Sequence, residues 1–387
     1  VTTTVFQDPR QASAGPDEAP GETPGVLAGV DRAASGRAVW AALGDAGALA
    51  SVYRGGDPRQ PVDVRAFAAL LERVDGAVAV GSTLVVTIQL ATALPLLAAA
   101  ADAPGASPQL AAVVEEALAG RVVIALAATD QGAGSDLSAL QTTLDVRDGD
   151  LAVDGSKRWI AGATDADHLL VLARRRPGTH FSCYSWVLVP AGAAGVTVEP
   201  APAGLFAGSG TGHIRLRDVR VPLALAAGRP GRGMLDFAAH IAVERLAGAL
   251  WAVALCRRVL ADTKRLLEQR EVAGAPLWQV PDVRRRVAAS ALRVRQLHAL
   301  TRELAERAAS RRDPAAAAAL KATAAEVIDV VLGECAHLQG AQGFADDGVQ
   351  VLRAQGALWG IGGGTSEIVL GVVADQVDEL LAELRWS

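Results

Sequence analysis

From about Ala38 to Gly120 the apolar positions recur at helical spacing in alanine-rich segments, interrupted by GGDPRQP and ADAPGASP. Between about Arg121 and Gly231 the pattern changes. Short β-branched runs, among them HLLVLARR, YSWVLVPAG, GVTVEPAP and GHIRLRDVRVP, are separated by turn residues and predict strands. RDGD at 147–150 predicts a hairpin turn. From Met234 the 3.6-residue period returns in long segments with charged outer faces. RRDPAA at 311–316 breaks that run, with Pro314 suited to the first turn of a new helix. Helices, then strands, then helices argues against an alternating βαβ chain. The predicted class is α+β in three parts: an all-helical domain over 1–120, an antiparallel β-domain over 121–232 and a helical domain over 233–387. Within the first part, residues 7–25 are rich in Pro, Gly, Asp and Glu, so 1–35 is expected to be a poorly ordered start.

The most apolar run, Leu84 to Ala101, contains Thr87, Gln89, Thr92 and Pro95, which favours a buried core helix over a membrane span. Hydrophobic residues make up 51% of the 387 and aromatics only 4%, so the core must be built mostly from Ala, Val and Leu. The net charge of -5 and the shortness of the basic clusters Arg174–Arg176 and Arg284–Arg286 give no electrostatic case for nucleic acid. Cys183, Cys256 and Cys335 are odd in number, far apart and without a C-x-x-C, which reads as a reduced, intracellular protein without a structural zinc site, and a cytoplasmic location is expected. No basic n-region opens the chain, so no secretory signal is expected.

Six glycines crowd GALWGIGGGTSEIVLG, from Gly356 to Gly371. The segment fails as a dinucleotide fingerprint, because Thr365 stands where the third glycine of G-x-G-x-x-G belongs. No Gly-Lys pair, G-x-S-x-G or H-E-x-x-H occurs. Seven segments in order carry more: LAATDQGAGSDLSAL (126–140), LAVDGSKRWIAGATDADHLLVLAR (151–174), LRDVRVP (216–222), HIAVERLAGAL (240–250), LLEQREVAGAPLWQ (266–279), HLQGAQGF (337–344) and IGGGTSEI (361–368). Together they resemble the acyl-CoA dehydrogenase family over roughly residues 35 to 380.

The resemblance implies an all-α N-terminal domain, a middle antiparallel β-domain and a C-terminal four-helix-bundle domain. It also implies FAD, a homodimer or homotetramer, and an acyl thioester substrate on coenzyme A or a carrier protein. By the match, Thr129 meets the flavin edge, Ser135 the pyrophosphate region and Trp159 the flavin ring. Ala161 replaces a threonine whose hydroxyl reaches the flavin. Arg270 matches an arginine that crosses to a neighbouring subunit's pyrophosphate, as a guanidinium suits phosphate. His337 and Ala341 replace a glutamine and a glycine of the adjoining motif, and Asp130-Gln131 and Ala273 are further departures. Thr365 and Glu367 match the last FAD contacts, while Gly363, Gly364 and Arg245 fall at the thioester.

The implied reaction needs a carboxylate to remove an acidic α-proton, and burial that raises its pKa strengthens it. Many relatives carry a glutamate before Gly-Thr in the last loop, where this chain has Gly363. Others place it on a helix before an arginine, which here is Glu244-Arg245. Glu244 lies among Ile241, Ala242, Val243, Leu246, Ala247 and Leu250, an expensive setting for a carboxylate without a partner or a task. Two other readings stand beside the dehydrogenase: a flavin monooxygenase of the same fold, and a non-catalytic subunit completing a partner's site. An electron-transfer partner or oxygen would reoxidise the flavin, and neither nucleic acid nor membrane is expected as a partner.

Overall fold

The computed structural model describes residues 25–134 and 136–385. Most of the segment read as a poorly ordered start, and Ser135, lie outside the described residues. Helices α1 (Gly36–Asp45), α2 (Val64–Ala77), α3 (Val80–Ile88), α4 (Leu94–Ala101) and α5 (Pro108–Leu118) come first. The caps follow the sequence: the Ser35 hydroxyl accepts from Ala38 N–H and the Asp63 carboxylate from Ala66 N–H. Between α3 and α4 the chain widens into one π-turn, Gln89–Ala93. Pro95 has no N–H to return to Ala91, and the Leu94 N–H closes on Gln89 C=O instead.

Eight strands form the middle layer: β1 (Ile124–Ala127), β2 (Thr143–Arg147), β3 (Asp150–Ile160), β4 (His168–Arg174), β5 (Tyr184–Pro190), β6 (Val196–Pro200), β7 (Gly212–Pro222) and β8 (Ala226–Ala227). Their order is β6-β7-β3-β2-β4-β5-β8, with β1 on β4. The pairing is antiparallel except for β1–β4 and one residue pair of β2–β4. β1 enters directly from the helical region, with the Gln89 amide pairing to both backbone groups of Ile124, at 3.0 and 2.9 Å. The β2–β3 turn puts Asp148 at φ 53 and Gly149 at φ 87 with Arg147 opposite Asp150, the two-residue hairpin that RDGD predicts.

The third layer holds α6 (Gly233–Gln269), a short β9–β10 hairpin (Glu271–Val272, Ala275–Pro276), α7 (Pro281–Ala309) and α8 (Pro314–Gln339). It closes with α9 (Val349–Gly356), α10 (Leu358–Ile361), α11 (Ser366–Ala374) and α12 (Val377–Glu383). Asp313 caps α8, accepting from Ala315 and Ala316 N–H. Val80–Ala101 and α6 are each long and apolar enough to cross a membrane, but 78% and 61% of their most apolar windows are buried inside this fold. Buried Asp75 on α2 binds Arg258 at 2.7 Å and accepts from Trp251 Nε1 at 3.0 Å, both on α6, locking the two helical layers together.

Candidate active site

The predicted site residues gather in three clusters. The first sits where α6, the π-turn and the glycine loop meet. Glu244 is enclosed by protein, though part of its surface still reaches solvent. Its Oε2 accepts from Thr92 Oγ1 at 2.7 Å. Burial pushes its pKa above the ordinary carboxylate value, against the Thr92 hydrogen bond and the nearby Arg245 charge. The pairing that sequence adjacency invites is not made: Arg245 Nε donates instead to Gly363 C=O at 3.0 Å, holding the loop rather than the carboxylate.

Gly363 and Gly364 adopt φ 71 and φ 98, which side-chain-bearing residues rarely take. A β-carbon on Gly363 would lie 3.8 Å from Glu244 Oε1. The loop position without a carboxylate and the helix position with one therefore face the same space. Trp359, just ahead of the loop, donates from Nε1 to Gly248 C=O at 2.8 Å and packs on Trp251 with ring centroids 4.5 Å apart, anchoring the loop to α6.

Two residues here escaped the sequence reading. Thr92 was visible as a polar interruption of an apolar run, but its contact spans 152 positions. Lys321, 4% exposed, donates from Nζ to Gly360 C=O at 3.3 Å and Ser366 Oγ at 3.4 Å. Burial, and next the Arg245 charge, bring its pKa down to about 8, with Glu367 opposing. A lone basic residue in AAAAALKATAAEV was the available signal. Thr365 caps α11 by position, and exposed Glu367 is held below the usual carboxylate range by its own backbone N–H and the Thr365 hydroxyl.

The second cluster lies on the sheet. Arg158 N–H donates to Thr129 C=O at 3.0 Å, bringing the TDQGAGSD loop against β3. Asp130, one of the departures, is the buried partner of Lys157, which is fully buried with Nζ 2.6 Å from Oδ1. The carboxylate also accepts from Gln141 N–H, Thr142 N–H and Thr142 Oγ1 at 2.7, 2.8 and 2.9 Å. Trp159 falls where the β3–β7 register shifts, at φ 57, and stands 60% exposed with its ring edge-on to His213. Bulges re-aim side chains, and a bulky residue at positive φ is costly. An indole held outward at that cost is not core packing. Ala161 follows it, half-buried in a turn.

The third cluster is at the far end of α6. Exposed Arg270 forms no ion pair among the described residues, and a β-carbon on Gly340 would lie 3.3 Å from its Nη1. His337, on the last turn of α8, and Ala341 are both exposed beside that glycine. Ala273 occupies a hairpin-turn position at φ 52, next to Gly274 at φ 81. Glu244 and Arg270 are 26 residues apart on one helix and its cap, about 39 Å at ~1.5 Å per residue.

A helical–sheet–helical chain with an enclosed carboxylate of raised pKa beside a glycine loop and an uncovered indole on the sheet defines the class. The acyl-CoA dehydrogenase middle-domain signature matches residues 125–219 and the C-terminal-domain signature residues 231–377. The chain is 30% identical over 279 residues to the acyl-[acyl-carrier-protein] dehydrogenase MbtN of Mycobacterium bovis, covering 70% of each protein. It overlays a probable acyl-CoA dehydrogenase from Mycobacterium abscessus with TM-score 0.81 and 26% identity, covering 88% of this chain and 90% of that one. An FAD complex of PigA shares the fold at TM-score 0.81 and 20% identity, over 89% and 90% of the two chains. The protein belongs to the acyl-CoA dehydrogenase family.

Proposed function

We propose that the protein is an FAD-dependent dehydrogenase that forms the α,β-double bond of an acyl thioester carried on coenzyme A or a carrier protein, with Glu244 as the base. The observation that carries this reading is the Glu244–Gly363 face. A carboxylate of raised pKa, held by the Thr92 hydroxyl, faces a glycine loop in which a β-carbon on Gly363 would stand 3.8 Å from its Oε1. Thr92 fixes Oε2 and leaves Oε1 on the open side to accept the α-proton. Arg245 keeps the loop in place without neutralising the base.

The surrounding residues fit FAD. The exposed Trp159 indole offers an aromatic face, and Arg270 offers a guanidinium without a carboxylate partner among the described residues. Thr129, Trp159 and Ala161 would hold the ring system, Thr365 and Glu367 the ribityl and adenosine portions, and Arg270 with the His337–Ala341 turn a pyrophosphate. When bound, FAD supplies the acceptor for the β-hydrogen and its electron pair. The separation of about 39 Å between Glu244 and Arg270 (26 residues at ~1.5 Å each) supports a homo-oligomer in which Arg270 serves the neighbouring copy's cofactor.

Anaerobic mixing of the purified chain with a panel of acyl-CoA and acyl-carrier-protein thioesters tests the reading. The flavin absorbance should bleach with at least one thioester and not with the corresponding free acids. A chain that retains FAD and is bleached by none would overturn it.

A further inference from the structure

Outside the base cluster, the sheet carries a groove of about 450 Å³ whose walls include Gln131, Gln141, Ser156, Arg215 and Arg217. Arg215 and Arg217 are exposed, two residues apart on β7, and so share one face of the sheet. Two more arginines engage its lining glutamines: Arg158 donates to Gln131 Oε1 at 3.2 Å and Arg174 to Gln141 Oε1 at 3.1 Å. None of the four forms an ion pair among the described residues, whereas arginines nearby do. On the same strand Arg220 pairs with Asp218 at 2.8 Å, and on β2 Arg147 pairs with Asp145 at 2.9 Å. Asp218 and Asp145 are thereby engaged, and Asp154, a carboxylate in the middle of this face, lies 3.8 Å from Arg147. Glu199, opposite His213 on β6, makes no ion pair with either groove arginine.

The four cations are spread out. Arg174 pairs with Thr143, Thr143 with Asp154, and Asp154 lies against the Arg217–Asp218 stretch of β7. That row crosses three strand spacings, about 14 Å at ~4.8 Å each. A single phosphate or pyrophosphate would meet only part of it. A row of carboxylates on a protein surface matches its width, its openness and its sign.

We propose that this arginine groove docks the acidic face of the carrier protein that presents the acyl thioester. The inference rests on the thioester reading above and names its carrier. The groove is bounded by Gln131 and Gly132 of the same loop that contains Thr129, so a carrier seated there lies beside the cofactor loop. Its arginines recognise the carrier and take no part in proton removal.

The test compares one acyl chain on pantetheine, on coenzyme A and on a type II acyl carrier protein, with the FAD-loaded full chain and its Arg215→Glu/Arg217→Glu variant. Binding of the apo carrier protein, which lacks any thioester, is measured separately by fluorescence anisotropy at several salt concentrations. The parent should bind apo carrier with an affinity that falls as salt rises. The variant should lose roughly tenfold or more in that affinity and in kcat/KM for the acyl carrier protein, chiefly through KM, since like charges at an interface oppose docking. Acyl-pantetheine turnover should stay within about twofold of the parent, as expected for a change away from the chemistry. An Arg220→Gln variant, altering a paired arginine of the same strand, should bind apo carrier like the parent. The proposal is overturned if the parent binds no apo carrier, if the loss falls on coenzyme A instead, or if all three substrates suffer equally. A parent that binds apo carrier through these arginines but dehydrogenates no thioester would sink the dehydrogenase reading and leave the docking surface standing.

Discussion

Two carboxylates, Asp130 buried and Glu244 enclosed but partly reaching solvent, each have a cation beside them and behave in opposite ways. Asp130 accepts from Lys157 Nζ, two backbone N–H groups and the Thr142 hydroxyl, all within 2.9 Å. Among the described residues Glu244 has one donor, Thr92, because its neighbour Arg245 is turned to Gly363 C=O. The first arrangement is saturated and holds the Thr129–Asp130 loop against β3. The second is left short of donors, and burial raises the carboxylate's pKa. A satisfied buried charge is architecture, while an under-satisfied one of raised pKa is what the proposed base requires. Lys157 shows that the first setting is nonetheless demanding: burial brings its pKa down to about 8 even against the pull of Asp130.

The largest expected effect breaks the saturated pair. Lys157→Met leaves Asp130 buried without its cation and should cost about 3–5 kcal/mol of folding stability, read as a lower denaturant midpoint. Adding Asp130→Asn should recover part of that loss, because the amide oxygen still accepts from Gln141 and Thr142 while the uncompensated charge is gone. A single variant as stable as the parent would show that the pair is not the clamp described here.

A smaller effect sharpens the other side. Thr92→Val removes the donor that favours the charged form of Glu244, so the carboxylate's pKa should rise further. The base works ionised, so the acid limb of the kcat/KM profile should move to higher pH, with little change at alkaline pH. An unmoved limb would separate Thr92 from the base.

Much of this was legible in the sequence wherever the cause is local. The turn at Asp148-Gly149 and the α8 start at Pro314 follow from backbone preferences of the residues themselves. Glu244 stood out because an isolated carboxylate on an apolar helix face demands an explanation. The contacts that complete the site were not legible. Thr92 reaches Glu244 only because Pro95 forces a π-turn and because α3–α4 packs on α6. Asp130 looked like a loss from the family pattern, yet it keeps a carboxylate whose partner lies 27 residues on, across a bridge between loop and strand. The groove arginines were hidden for the same reason, since whether an arginine is paired depends on which strands lie side by side.

The most direct test is Glu244→Gln, followed by single-turnover flavin reduction with a good thioester and by thermal unfolding of the same variant. The glutamine keeps shape and hydrogen bonding but cannot take the proton. Reduction should fall by about 10²–10⁴-fold, with FAD and substrate still bound. The stability sign is equally specific. A carboxylate whose pKa is raised on folding destabilises the native state as pH rises through the window between its ordinary and raised values, and the cost is fully present above it. The variant should therefore be at least as stable as the parent at neutral pH. A variant that reduces its flavin as fast as the parent, or that retains activity but loses stability, would contradict the assignment of Glu244 as the base.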